Sequence, residues 1–176
     1  MFNNVRYEDE EQNSSYRSYA HNVPIQFFGP SGTPAPDPSN KSKLTTRSWN
    51  SNAPKWRTAA GGLSLEAYCY NSSCQAYNKG YVLVKWGYRD FDFFLNDRDV
   101  GCPMCGRYVQ TKNFGFCSTW YKVVGCKRDK PDEPLQHVDT EWDFVSNDRY
   151  YTFLDSPEDL VYWGQLKIKV SKSRPY

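Results

Sequence analysis

The chain has 176 residues, of which 39% are hydrophobic and 17% aromatic, with 22 Lys and Arg against 20 Asp and Glu. That aromatic content excludes a wholly disordered chain, no apolar run approaches the ~18 residues a membrane-spanning helix needs, and a formal charge of +2 is too even to advertise a polyanionic partner. The opening MFNNVRYEDEEQ is acidic and has neither the apolar core of a secretory signal nor the Arg-rich character of a transit peptide. An intracellular protein without membrane insertion is therefore expected.

Residues 1–57 read as a long extended arm. They hold four branched aliphatic residues, Val5, Val23, Ile25 and Leu44, and no cysteine. Prolines at 24, 30, 34, 36 and 38 favour extended and turn geometry. So little apolar area does not offset the ordering entropy of roughly 1–2 kcal/mol per residue, so the arm alone is expected to be disordered. It nevertheless carries eight aromatic residues. Two readings fit: a solvated tail whose Trp56 packs on the domain, or an arm that folds onto a protein partner with Phe27, Phe28, Trp49 and Trp56 as its anchors.

From residue 58 to 170 the pattern changes to short apolar and aromatic runs separated by turns, predicting a mostly β, antiparallel domain, with residues 171–176 as a tail. Gly80–Tyr88 predicts a strand with Val82, Val84 and Trp86 on one face. Phe91–Leu95 is a second candidate, and Asn113–Val124 a third, broken at Gly115. Tyr150–Leu154 and Val161–Val170 are expected to pair with each other. In the latter, Leu166, Ile168 and Val170 alternate with Lys167 and Lys169, as in a half-buried strand. Ser156-Pro157-Glu158-Asp159 between them predicts a single helical turn. Residues 127–140 read as a charged, proline-containing loop.

Four of the six cysteines form two close pairs, Cys69-x4-Cys74 and Cys102-x2-Cys105. Without an export signal such pairs point to metal before disulfides. Each short loop brings two sulfurs to one side of an ion, and strands between the loops bring the sides together: a zinc ribbon with one structural Zn²⁺. Gly106 is placed to adopt the positive φ that turns backbone N–H groups toward the sulfurs. A redox role for Cys102 and Cys105 is disfavoured, because that chemistry starts a helix after a strand and Gly-Arg-Tyr-Val suits a turn into a strand. A cross-braced RING needs eight ligands, and the chain offers six Cys with His21 and His137. A second zinc on Cys117, Cys126 and His137 lacks both a fourth ligand and knuckle spacing; Cys117 is expected to pack in its strand and Cys126 to end a turn after Gly125.

The run from Trp56-Arg57-Thr58 through Gly62-Leu63-Ser64-Leu65-Glu66-Ala67-Tyr68-Cys69, Cys74-Gln75-Ala76-Tyr77-Asn78-Lys79 and Cys102-Pro103-Met104-Cys105 to Asn113-Phe114-Gly115-Phe116 carries a resemblance. Over about residues 55–125 it resembles an uncharacterised eukaryotic family of zinc-ribbon or RING-like zinc-binding domains. These occur in protists and some other lineages, in some members fused to ubiquitin-like segments. The resemblance implies a metal-binding domain with no catalytic residues. It also raises an accessory role in ubiquitin transfer, but residues 1–57 show no ubiquitin-like succession of strands and helix.

Four cysteines fill a zinc shell and leave no site for an activated water. No nucleophile elbow, phosphate loop or His-Glu-x-x-His motif is present. Asp90, Asp92, Asp97 and Asp99 read as solvated charge on a hairpin. A non-catalytic interaction module docked through its arm is the leading expectation. A nucleic-acid reader ranks behind it: four thiolates and one dication bring −2, which cancels the formal +2.

Overall fold

A computed structural model describes residues 5–6 and 32–176, with side chains from residue 32 onward. In chain order the strands are β1 (Val5–Arg6), β2 (Thr33–Ala35), β3 (Leu44–Arg47), β4 (Thr58–Ala59), β5 (Gly62–Tyr68), β6 (Tyr81–Gly87) and β7 (Phe91–Asp92). A helical turn, α1 (Phe93–Asn96), leads to β8 (Thr111–Cys117), β9 (Thr119–Arg128), β10 (Gln136–Asp139), β11 (Asp143–Val145), β12 (Tyr150–Phe153) and β13 (Val161–Ser171). The protein is mostly β, and its named strand pairings are antiparallel. Among the described residues no helix is long and apolar enough to cross a membrane.

Two sheets pack face to face. The first runs β10-β9-β13-β2, with β11 also on β9 and β7 on β13; the second runs β3-β12-β8-β5-β6, and β1 pairs with β4 apart from both. The first sheet contributes Tyr121, Val123, Trp163, Leu166 and Ile168 to the core, and the second contributes Leu63, Leu65, Phe114, Phe116 and Phe153. Phe116 stacks on Tyr121 across the interface at 4.4 Å between centroids. Burial of each such side chain stabilises by about 1.5–3 kcal/mol.

Val82, Val84 and Trp86 of β6 do share the core-facing side. Other expectations are altered by tertiary structure. Tyr150–Phe153 and Val161–Ser171 are strands, but they lie in different sheets: β12 pairs with β3 and β8, and β13 with β9, β2 and β7. The turn at Pro157–Asp159 carries the chain across the core instead of closing a hairpin. Lys43 fixes that turn, donating to the Asp159 carbonyl at 2.7 Å. In Phe91–Leu95 the strand stops after two residues, because the Asp92 carboxylate accepts from the Phe94 and Leu95 amides and starts a helical turn. The break expected at Gly115 falls at Ser118, with φ +47°. Gly115 continues the strand and leaves room for Tyr150, whose hydroxyl would lie 1.8 Å from an added Cβ. β10 occupies part of the expected charged loop.

The largest difference concerns the expected arm. Residues 33–57 are built into both sheets: β2 pairs with β13 and β3 with β12. Pro34 sits in an edge strand, where its missing N–H costs no ladder bond. Asp37 is 1% exposed and pairs with Lys127 of β9, and Trp163 donates to the Pro36 carbonyl at 3.2 Å. Backbone pairing and a buried ion pair order this segment where its own apolar content would not.

Candidate metal centre

The centre lies at one end of the second sheet. β5 delivers Cys69 immediately after Tyr68, and a tight loop returns through Cys74 toward β6. Cys74 N donates to the Asn71 carbonyl at 2.8 Å and Tyr77 N to the Cys74 carbonyl at 3.1 Å. The second loop is closed by Cys102 N to Arg107 O at 2.8 Å and Gly106 N to Cys102 O at 2.9 Å, with an isolated bridge between Gly101 and Tyr108 at its base. Gly106 has φ +71°, the left-handed value that glycine adopts without strain.

The loops face each other. Cys69 Sγ lies 3.7 Å from Cys105 Sγ, Cys74 Sγ lies 3.9 Å from Cys102 Sγ, and the four sulfurs lie within 4.8 Å of one another. A tetrahedral ion with metal–sulfur bonds of about 2.3 Å sets sulfur–sulfur edges of about 3.8 Å. The observed separations match that figure, and a disulfide bond is far shorter; all four cysteines are free thiols. The four residues therefore fit a single metal site with four sulfur ligands.

Backbone amides converge on the sulfurs with one repeated spacing. The N–H two residues after each cysteine points at its sulfur: Asn71 toward Cys69, Ala76 toward Cys74 at 3.5 Å, Met104 toward Cys102 and Arg107 toward Cys105. Such donors favour the thiolate that a metal requires. At Cys105 they dominate: the Arg107 amide, followed by the Asn71 side chain, pushes its thiol down to about 6. At Cys69 burial outweighs them and pushes the thiol up to about 12. Burial likewise raises Cys102 against its own amide donors.

The remaining thiols stand apart. Cys117 is buried in β8, and desolvation, with Asp148 nearby, pushes its thiol up to about 11. Cys126 does not end a turn: it lies within β9, paired with His137 of β10 on one side and Gln165 of β13 on the other. Among the described residues neither belongs to a metal-sized cluster. Asp92 and Asp97 are not merely solvated charge. Asp92 caps α1, and Asp97 accepts from the Thr111 amide and the Tyr108 hydroxyl, both at 2.8 Å, bracing the strand that follows the second loop.

Phe27 and Phe28 lie outside the described residues. Trp49 donates to the Asn147 carbonyl at 2.9 Å and meets Tyr150 edge-on. Trp56 packs against the core, with the Lys79 ammonium 5.6 Å from its ring. Arg57 Nη2 donates to the Lys79 carbonyl at 2.8 Å. Trp56, Arg57 and Lys79 brace the end of the first loop from outside; the packing of Trp56 on the domain was expected, whereas its meeting with Lys79 arises only through the fold.

An open groove of about 550 Å³ runs beside the second loop, lined by Lys55, Thr58, Leu83, Val84, Lys85, Gly101, Pro103 and Met104. No family model, curated protein or solved structure matches the chain.

Proposed function

We propose that the four cysteines hold a single structural Zn²⁺, and that the protein is a non-catalytic interaction module serving as a small subunit or adaptor of a larger intracellular assembly. The observation that carries this reading is the four-sulfur cluster. Thiolate is the donor set zinc favours in structural sites, and four such ligands complete a tetrahedral shell. When bound, the ion ties the β5–β6 loop to the loop before β8, supplying folding free energy to a chain poor in aliphatic residues.

Docking is assigned to the segment before residue 32, with Phe27 and Phe28 as its anchors, since Trp49 and Trp56 are engaged by the domain itself. Purification of the native protein under reducing conditions, with elemental analysis and native sizing, tests both statements. About one zinc per chain in a particle much larger than the 20.5 kDa chain is expected. A metal-free preparation would refute the first statement, and migration as a lone chain the second.

A further inference from the structure

The outer face of the first sheet has a charge and ring pattern that the fold does not need. The chain carries no Asp or Glu from residue 100 to 128 or from 160 to 176, so β9, β13 and the tail after them contribute cations alone. The alternation of burial along both strands turns Trp120, Lys122, Tyr162, Lys167 and Lys169 away from the core. Lys169 lies directly across the ladder from Lys122. Like charges in direct register destabilise a sheet.

Acidic residues reach this face from its flanks. Asp139 of β10 pairs with Lys122 at 2.6 Å; the Lys122 hydrogen bond, with the charges of Lys122, His137 and Lys169 behind it, holds that carboxyl below its usual range. Asp92 of β7 lies across from Lys167 but is committed to capping α1. Asp139 thus faces Lys122, Lys169 and His137 together, and the exposed Asp90 accepts from the Val170 amide beside Lys169 at 3.4 Å; Lys172 and Arg174, with no acidic residue on their own segment, add the net positive charge at this end.

Rings occupy both ends of the strip. Trp120 packs on Phe144 at 5.2 Å, the Arg174 guanidinium lies 5.5 Å from the Trp120 ring, and Phe144 is 49% exposed. Tyr162 stands at the far end, across from Arg128. From Tyr162 to Ser171 the strand spans roughly 30 Å at ~3.3 Å per residue.

We infer that the outer face of the β9–β13 sheet is a docking surface for single-stranded nucleic acid. Phosphates follow the lysine strip, and unpaired bases stack on the exposed rings. A duplex hides the faces of its bases from those rings and gains only the electrostatic part. This inference rests on the interaction-module reading and names a chemical class for one partner. Zinc content and native particle size test that reading separately, since neither depends on oligonucleotide affinity.

The test uses the full zinc-loaded chain and a labelled oligouridylate of about twelve nucleotides, with fluorescence anisotropy between about 50 and 200 mM salt. Saturable binding that weakens with salt, and exceeds binding to a duplex of equal length, is expected. Phe144→Ala, at an exposed position, should weaken it roughly five- to hundredfold. The double variant Lys167→Gln with Lys169→Gln should make the log–log salt slope shallower by about 1.4. The control pair Lys55→Gln with Lys85→Gln, which loses the same charge from exposed sites beside the groove of the second sheet, should leave affinity unchanged. Zinc stoichiometry and circular dichroism on each variant separate lost binding from lost folding. Equal loss in the control pair, duplex bound as tightly as single strand, or binding to anionic phosphatidylserine vesicles without oligonucleotide binding would each overturn the assignment.

Discussion

Strands β5 and β13 alternate apolar and polar residues in the same way, yet the fold uses them oppositely. In β13 the alternates Lys167 and Lys169 lie on an outer face and are partly exposed. In β5 the alternates Ser64 and Glu66 are 1% and 0% exposed, as enclosed as Leu63 and Leu65 on the other side. The second sheet is covered on both faces. On its far side Leu83 of β6 and Tyr150 of β12 pack with Ala59 and Trp49, and its end carries the cysteine loops. Period-two alternation therefore establishes a strand, but not whether its polar side meets water.

Four substitutions sharpen that contrast. The largest effect is expected at the metal end of the second sheet. Cys102→Ser, or chelation of the holo-protein, removes binding free energy on the order of 10 kcal/mol, comparable with a domain's whole stability of about 5–15 kcal/mol. Loss of the cooperative thermal transition checks it; an unchanged transition after verified metal removal would sink the idea of a metal-dependent fold.

Lys127→Met comes next, at the edge of the first sheet. It strips Asp37 of its cation and leaves the carboxylate, 1% exposed, accepting only the neutral hydrogen bonds of Ser39. A buried pair broken on one side costs about 3–5 kcal/mol. The urea midpoint should fall with no change in slope.

Glu66→Ala follows, at about 2–3 kcal/mol, because it opens a hole and removes a polar group from an enclosed position. Lys167→Ala, the matching alternate in β13, should change stability by less than about 0.5 kcal/mol. Equal costs for the two, measured by the same denaturation, would erase the distinction between the sheets.

The metal site was largely legible in the sequence. Cys69, Cys74, Cys102 and Cys105 carry their spacing in the chain, and knuckle geometry is local: each sulfur is served by the amide two residues on. The strand at Tyr81–Gly87 and the turn at Pro157–Asp159 were legible for the same reason, since alternation and capping act over a few residues. Strand partners were not. Tyr150–Phe153 and Val161–Ser171 look like a hairpin because they are neighbours in sequence, but the chain between them crosses the core. Residues 33–57 look unable to order themselves, and their order comes from Lys127, Trp163 and β12, distant in the chain.

By itself the sequence determined a mostly β chain with two cysteine knuckles, because alternation, turns and thiol spacing are written within a few residues. Only the tertiary structure decided which strands meet, that residues 33–57 belong to both sheets, and that a nearly neutral chain gathers lysines on one face. Those outcomes depend on contacts between residues far apart in sequence. Net charge carries no information about its distribution over a folded surface.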